Sequence, residues 1–170
     1  MSEEKLPEPW LRGTFEDVPA VPRAVLHALE LASEDIQRWC GCLTDAELNA
    51  RPMGVPPVAF HVRHIVRSAD RLLTYAEGRA LTDEQMAALR GELEETATGP
   101  ALFTEFRASL EKIAERVRAF RPAQWEEPRS VGRRRLPTTV GGLLVHVGDH
   151  TQRHTGQAIT TAKIVLASRR

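Results

Sequence analysis

The 170-residue sequence has no excess of charge of either sign, because 23 lysines and arginines are matched by 23 aspartates and glutamates. Nucleic acids and anionic membranes are generally bound by a clustered positive field, so we expect no nucleic-acid partner and no membrane partner. Aromatic residues make up only 5% of the chain, which disfavours base-stacking surfaces and β-sandwich cores. A single globular domain with a sizeable core is what this length allows.

Cysteines and long apolar runs are also scarce. Cys40 and Cys42 are the two cysteines, and a spacing of one residue does not suit a disulfide on a helix. No apolar run approaches the roughly 20 residues that a membrane helix needs. The acidic start MSEEKLPEPW lacks the basic and apolar regions of a secretory signal. These absences predict a reducing, cytoplasmic location.

Prolines and glycines divide the chain into long stretches with helical periodicity and no useful alternating segment, which predicts an all-α fold. We expect an N-terminal arm over residues 1–20 and a four-helix bundle domain over residues 21–170. The predicted helices begin at Pro22, after Pro57, after Gly99–Pro100 and near Thr138. Residues 78–100 form a long connection between the second and third helices. Capping boxes at Thr44–Glu47 and Thr82–Gln85 predict two short connecting helices.

The histidines of the fourth helix stand out because two of them fall on its predicted core face. With Leu143 as reference, His150 and His154 both lie within about 20° of the core direction, and His146 lies about 60° away. Side chains at positions i and i+4 meet on one face, which suits the binding of a single transition metal. The structural alternative is a set of hydrogen-bonded core histidines, each of which would need its own partner. His27, in the first helix, lies opposite the apolar stripe, and we expect it to be solvated.

The second helix offers His61 and His64 in the segment FHVRHIVR. Relative to Ile65, His61 lies about 40° from the core direction and His64 about 100°, so the wheel favours His61 as the deeper residue. Either could supply a third nitrogen. Three imidazole ligands leave a coordination position open, which is typical of catalytic rather than structural metal sites.

The motif His150-x-x-x-His154-x-Gly156-Gln157 resembles the fourth-helix signature of the DinB/YfiT-like superfamily, and His64-Ile65 resembles its second-helix partner. The likeness extends over most of the chain and implies a DinB-like four-helix bundle that binds a divalent metal, zinc or nickel. Carried over, it implies His64, His150 and His154 as ligands. We follow the motif over the wheel because wheel angles drift along a supercoiled helix. His61, His146 and Gln157 then become supporting or alternative groups.

The resemblance also implies a function. Characterised members of the superfamily include transferases of low-molecular-weight thiols such as bacillithiol or mycothiol, and a thiol-dependent maleylpyruvate isomerase. A metal-dependent S-transferase or hydrolase acting on a small-molecule substrate is therefore expected, with a thiol as co-substrate in the first case. The alternative is a non-catalytic metal-binding or stress-associated four-helix protein. A ferritin-like di-metal oxidase is disfavoured because no histidine has a glutamate three residues before it.

Two further features carry predictions. The segment RSVGRRRLP at residues 129–137 holds four arginines that could bind the carboxylates of a thiol cofactor, although a solvated loop is the simpler interpretation. Gly141 and Gly148 share one side of the fourth helix, so this helix is either central in the bundle or buried against a second subunit. We predict a homodimer from this second face.

Overall fold

The computed structural model describes residues 6–169, so residues 1–5 of the predicted arm lie outside the described part. Within residues 6–169 the chain forms six α-helices, three short 3-10 turns and one two-stranded sheet. The helices are α1 (Ala20–Cys40), α2 (Asp45–Asn49), α3 (Val58–Ala76), α4 (Asp83–Gly91), α5 (Gly99–Ala119) and α6 (Val140–Ala167). The strands are β1 (Pro128–Val131) and β2 (Leu136–Thr139).

The four long helices, α1, α3, α5 and α6, confirm the predicted all-α bundle. Their ends follow local chemistry: Pro57 precedes α3, and the Thr139 side chain accepts a hydrogen bond from the Gly142 amide at the start of α6. The two predicted capping boxes form around Thr44 and Thr82, and α2 and α4 follow them.

Helix α6 is the central element of the bundle, because it packs against both α1 and α3. Leu144 and Val147 of α6 are almost fully buried, together with Ile36 of α1 and Ile65 and Leu73 of α3. Helix α5 covers the other side of α3 and α1. The site described below depends on α3 and α6, which lie side by side at the centre of this core.

Gly141 and Gly148 of α6 lie against other segments of the same chain. A side chain at Gly148 would contact Val25 and Ala28 of α1, and one at Gly141 would crowd the backbone of Trp125. The close approach of α1 to Gly148 and of Trp125 to Gly141 therefore accounts for this small-residue face without a second subunit, and the homodimer stays a prediction.

The β-hairpin lies where a solvated loop was expected before the fourth long helix. Strand β1 pairs antiparallel with β2, with Pro128 opposite Thr139 and Val131 opposite Leu136. Four-residue strands that each contain a proline are too short to display a period-two pattern, so the sequence gives no strand signal here. The hairpin connects the end of α5 to the start of α6.

The N-terminal arm shows that the prediction of a solvated His27 was wrong. His27 is 9% exposed, and its Nε2 lies 3.1 Å from the hydroxyl of Thr14 in the arm. Arg12 fixes the arm to α1 by an ion pair with Glu34. Trp10 remains largely exposed. A helical wheel of α1 alone cannot detect a cover that comes from a separate segment.

Both cysteines are free thiols, with Cys40 buried and Cys42 exposed. Burial, followed by the nearby Cys42 and Asp35, raises the pKa of the Cys40 thiol to about 12, which makes it an inert core residue. None of the helices in the described part of the chain has the length and apolar character needed to span a membrane.

Candidate metal centre

Four histidines from two helices meet at one side of the bundle. Helix α3 contributes His61 and His64 from its first two turns, and α6 contributes His150 and His154 from its middle. One ring nitrogen from each of His64, His150 and His154 lies within 4.8 Å of the others. The ring centroids of His64 and His154 are 4.4 Å apart, and those of His150 and His154 are 4.5 Å apart.

His150 and His154 are less buried than the helical wheel of α6 predicts. His150 and His154 were expected at the centre of the buried face, but both are only half-buried, whereas Val147 and Thr151 are almost fully enclosed. The core direction of α6 lies between α1 and α3, so the histidines occupy the margin of that face. This position leaves His150 and His154 partly exposed to solvent.

The wheel was right that His61 lies deeper than His64 in α3, since His61 is 4% exposed. His64, with a side chain 17% exposed, is nevertheless the α3 residue that belongs to the three-nitrogen group. The two observations agree because the group itself lies at the margin of the bundle.

Glu92 is a site residue that sequence reasoning missed. Its Oε2 atom lies 2.7 Å from Nδ1 of His64, and the side chain is 3% exposed. Burial raises the pKa of Glu92, but the hydrogen bond with His64 and the charge of Arg71 outweigh burial and hold the pKa below its ordinary value. As a carboxylate, Glu92 accepts a hydrogen bond from Nδ1–H of His64, which leaves Nε2 as the nitrogen that can bind a metal.

The connection between α4 and α5 places Glu92 next to His64. Glu92 is the C-terminal cap of α4, and the loop after it is fixed by Arg63, which donates to the carbonyls of Glu95 and Thr96. Asn49 also bonds both the amide and the carbonyl of Ala97. No local signal marks Glu92, because it lies in an acidic stretch that is typical of a solvated loop.

His61 contacts His154 through their Nδ1 atoms, which are 3.1 Å apart. Between two neutral rings one nitrogen donates and the other accepts, and the tautomer decides which. If His154 donates from Nδ1, its Nε2 is free to bind a metal, and His61 then orients His154 as Glu92 orients His64.

Phe60 forms an apolar wall beside the cluster. Its ring stacks on His64 with a centroid distance of 5.1 Å and meets the edges of His61 and His154 at 5.2 and 6.3 Å. An aromatic ring in this position limits the rotation of the His64 ring and covers one side of the cluster with apolar surface.

His61, His150 and His154 are held in the form that a metal requires. Burial, followed by the neighbouring histidines, lowers the pKa of His61, His150 and His154 to about 4. Only neutral imidazole binds a metal, so these rings are competent ligands at neutral pH and well below it.

The remaining predicted groups lie outside the cluster. His146 is 45% exposed and lies 3.4 Å from the carboxylate of Asp149, with its ring centroid 5.3 Å from that of His150. Gln157 is exposed and has no hydrogen bond to the histidines among the described contacts. Arg129 contacts the carbonyl of Ala76 at the far end of α3, so the arginine segment is not next to the histidines.

The donor set fits a divalent metal. Three imidazoles with one nitrogen each within 4.8 Å of the others form a donor set that could bind a transition metal, and two of them have a buried partner behind the ring. The group has three members in the described part of the chain, which leaves a further position for water or substrate.

The fold and this cluster define a class: a helical bundle with a three-histidine site suited to a metal. The chain belongs to the DinB superfamily, whose sequence model matches residues 28–158. Members of this superfamily generally bind metals, in agreement with the histidine group.

A solved structure shares the fold. The crystal structure of a conserved protein from Enterococcus faecalis superposes with a TM-score of 0.70 at 19% identity, over 87% of this chain and 98% of that one. No curated protein matches this sequence significantly.

Proposed function

We propose that the protein is a divalent-metal-dependent enzyme that activates a small thiol or a water molecule at His64, His150 and His154. Zinc or nickel is the expected metal. The observation that carries the proposal is the group of three imidazole nitrogens within 4.8 Å, half-buried at the margin of the bundle. A site built only to stabilise the fold is usually closed by four protein ligands.

A metal ion bound here would supply Lewis acidity. It would lower the pKa of a coordinated thiol or water to a value near neutral pH. The chain does the rest. Glu92 holds the proton of His64 on Nδ1, His61 positions His154, and Phe60 covers one side of the cluster with apolar surface. The low pKa values keep the nitrogens available.

In the S-transfer reaction, a thiol loses its proton and its sulfur forms a bond to an electrophilic carbon. The leaving group departs with the electron pair of the broken bond and takes up the released proton. In the hydrolytic reaction, hydroxide replaces the thiolate as the nucleophile. Both reactions use the same open position, so the electrophile and the co-substrate decide which one occurs.

Metal analysis of untagged protein tests the site. We expect close to one divalent ion per chain in the native protein and none in the double variant His150→Ala/His154→Ala. His146→Ala is the matched control, because this exposed histidine of the same helix lies outside the three-nitrogen group. Stoichiometric metal in the double variant would refute the site assignment.

Turnover tests the enzyme. Metal-loaded native protein is incubated with low-molecular-weight thiols and a panel of alkyl halides, epoxides and esters, and thiol loss and ester cleavage are followed. Metal-dependent turnover that the double variant lacks supports the proposal. Full metal occupancy without any turnover would support the non-catalytic metal-binding alternative.

A further inference from the structure

A cavity at the hairpin end of the bundle is lined by arginines that the proposed function does not use. It has a volume of about 650 Å³ and lies between the C-terminal end of α3 and the β-hairpin. Tyr75, Arg79, Arg129, Ser130 and Arg135 contribute the polar side chains to its wall. Cavities of several hundred Å³ accommodate metabolite-sized molecules.

The charge of this cavity is one-sided. Among the described residues that line it, three are arginines and none is acidic. Two of the arginines have carboxylate partners just outside the wall: Arg79 pairs with Glu77, and Arg129 pairs with Glu127 at 2.8 Å. Arg135 has no hydrogen-bond or ion-pair partner for its guanidinium among the described contacts, so its donors are free.

The geometry separates this cavity from the histidines. Nε of Arg129 donates to the carbonyl of Ala76 at 2.7 Å, and Ala76 is the last residue of α3. Ala76 follows His64 by twelve positions, which corresponds to about 18 Å along a helix. The arginines therefore do not complete the metal centre.

We propose that this cavity is a binding site for a small organic oxyanion, a molecule with one phosphate or carboxylate group on a compact apolar body. A planar guanidinium presents paired N–H donors that match the oxygens of either group. The hydroxyls of Tyr75 and Ser130 add neutral donors, while Ala80 and Pro128 provide apolar wall. The volume leaves room for more than a bare anion.

The test uses the native protein, labelled with ¹⁵N in the arginine side chains, at low ionic strength. Phenyl phosphate, benzoate and inorganic phosphate are titrated while the Nε–Hε signals are followed. We expect saturable shifts at Arg135 and Arg79 with phenyl phosphate or benzoate, and weaker binding of inorganic phosphate. The better of the two aromatic probes identifies the preferred oxyanion. No saturable shift with either aromatic probe overturns the proposal.

Variants separate a built site from general attraction to positive charge. Arg135→Gln is expected to weaken binding roughly tenfold, which corresponds to one lost charge-assisted contact. Arg79→Gln provides a second variant in an exposed position. Arg90→Gln, which removes an exposed arginine of α4 outside the cavity, is the matched control. Equal losses in Arg135→Gln and Arg90→Gln would overturn the proposal.

The double variant His150→Ala/His154→Ala addresses binding of the probes to a metal. We expect it to retain the native affinity for phenyl phosphate. Loss of binding in this variant assigns the probe to the metal centre and refutes a separate site. This outcome is independent of whether the protein proves to be an enzyme.

Discussion

The two ends of the α3–α6 pair hold nitrogen-rich side chains in opposite states. At the histidine end, burial lowers the pKa of His61, His150 and His154, and these partly or fully buried rings contact one another and His64. At the arginine end, which comprises Arg79, Arg129 and Arg135, the side chains are charged and line an open cavity. Burial makes this difference. Desolvation lowers the pKa of imidazole, so that a ring nitrogen keeps its lone pair at neutral pH, whereas guanidinium stays charged.

One helix pair can therefore carry two clusters that suit ligands of opposite charge. The histidine end suits a cation, which needs neutral nitrogen lone pairs on rigid supports. The arginine end suits an anion, which needs N–H donors and tolerates mobile side chains. The net charge of zero gives no indication of either cluster, since each is a local arrangement within a balanced chain.

The largest expected effect distinguishes His64 from His61 as the α3 ligand. We expect His64→Ala to remove the bound metal under a competing chelator. His61→Ala is expected to lower metal affinity by only about 10- to 100-fold, the usual cost of losing a supporting partner. Competition titrations with a chromophoric chelator measure both variants. A larger loss of metal affinity in His61→Ala than in His64→Ala would identify His61, the deeper residue of α3, as the ligand.

Loss of the Glu92 carboxylate has the next largest expected effect. Glu92→Gln removes the acceptor that fixes the proton of His64 on Nδ1, so metal affinity should fall by about 10- to 100-fold. Glu94→Gln is the matched control. Exposed Glu94 lies only two residues after Glu92 in the sequence, and its carboxylate pairs with Arg51. Equal affinities in the two variants would show that His64 is oriented without the buried carboxylate.

The sequence predicts the fold well because apolar periodicity survives in four long helices. The pairing of His150 with His154 follows from a spacing of one helical turn, which any α-helix preserves. The family motif indicated His64 where the wheel preferred His61, and a ring nitrogen of His64 lies within 4.8 Å of those of His150 and His154. The helices and the His150–His154 pair depend on local geometry, so a single sequence is sufficient to find them, whereas the choice of His64 also needed the resemblance to a family.

Three other features depend on segments that meet only in the folded chain. Glu92 reaches His64 across 28 positions, because Arg63 fixes the loop that follows α4. Thr14 covers His27 from the N-terminal arm. The hairpin strands are four residues each, too short for a pattern. Neither periodicity nor motif spacing carries information about such contacts.

The stability of metal-free protein should depend on pH through the histidine end. The pKa of His61, His150 and His154 is about 4 in the folded chain against an ordinary value of 6.5. Between these values the unfolded chain binds more protons, so this contribution to stability is complete above about pH 6.5 and is lost as the pH falls towards 4. Urea unfolding at pH 7, 6 and 5 in the presence of a chelator measures it.

The double variant His150→Ala/His154→Ala serves as the control for this pH dependence. Removal of two of the three depressed groups should make the fall in unfolding free energy between pH 7 and pH 5 shallower. An unchanged slope would show that the titrating groups lie elsewhere in the protein, and the contrast between the two ends would lose its electrostatic basis.

The smallest expected effect concerns the arginine end. Nε of Arg129 donates to the carbonyl of Ala76, which belongs to the last turn of α3 and lacks an intrahelical partner. A cation at a helix C-terminus also interacts favourably with the helix dipole. Arg129→Gln should therefore lower the free energy of unfolding by about 1 kcal/mol.

Arg134→Gln is the matched control, because exposed Arg134 lies in the hairpin turn and should change stability by no more than about 0.5 kcal/mol. Neither variant should alter the metal content, since about 18 Å of helix separates Ala76 from His64. Metal loss in Arg129→Gln would show that the hairpin holds α3 in the position that the histidines need. The two ends would then form one coupled site instead of two independent ones.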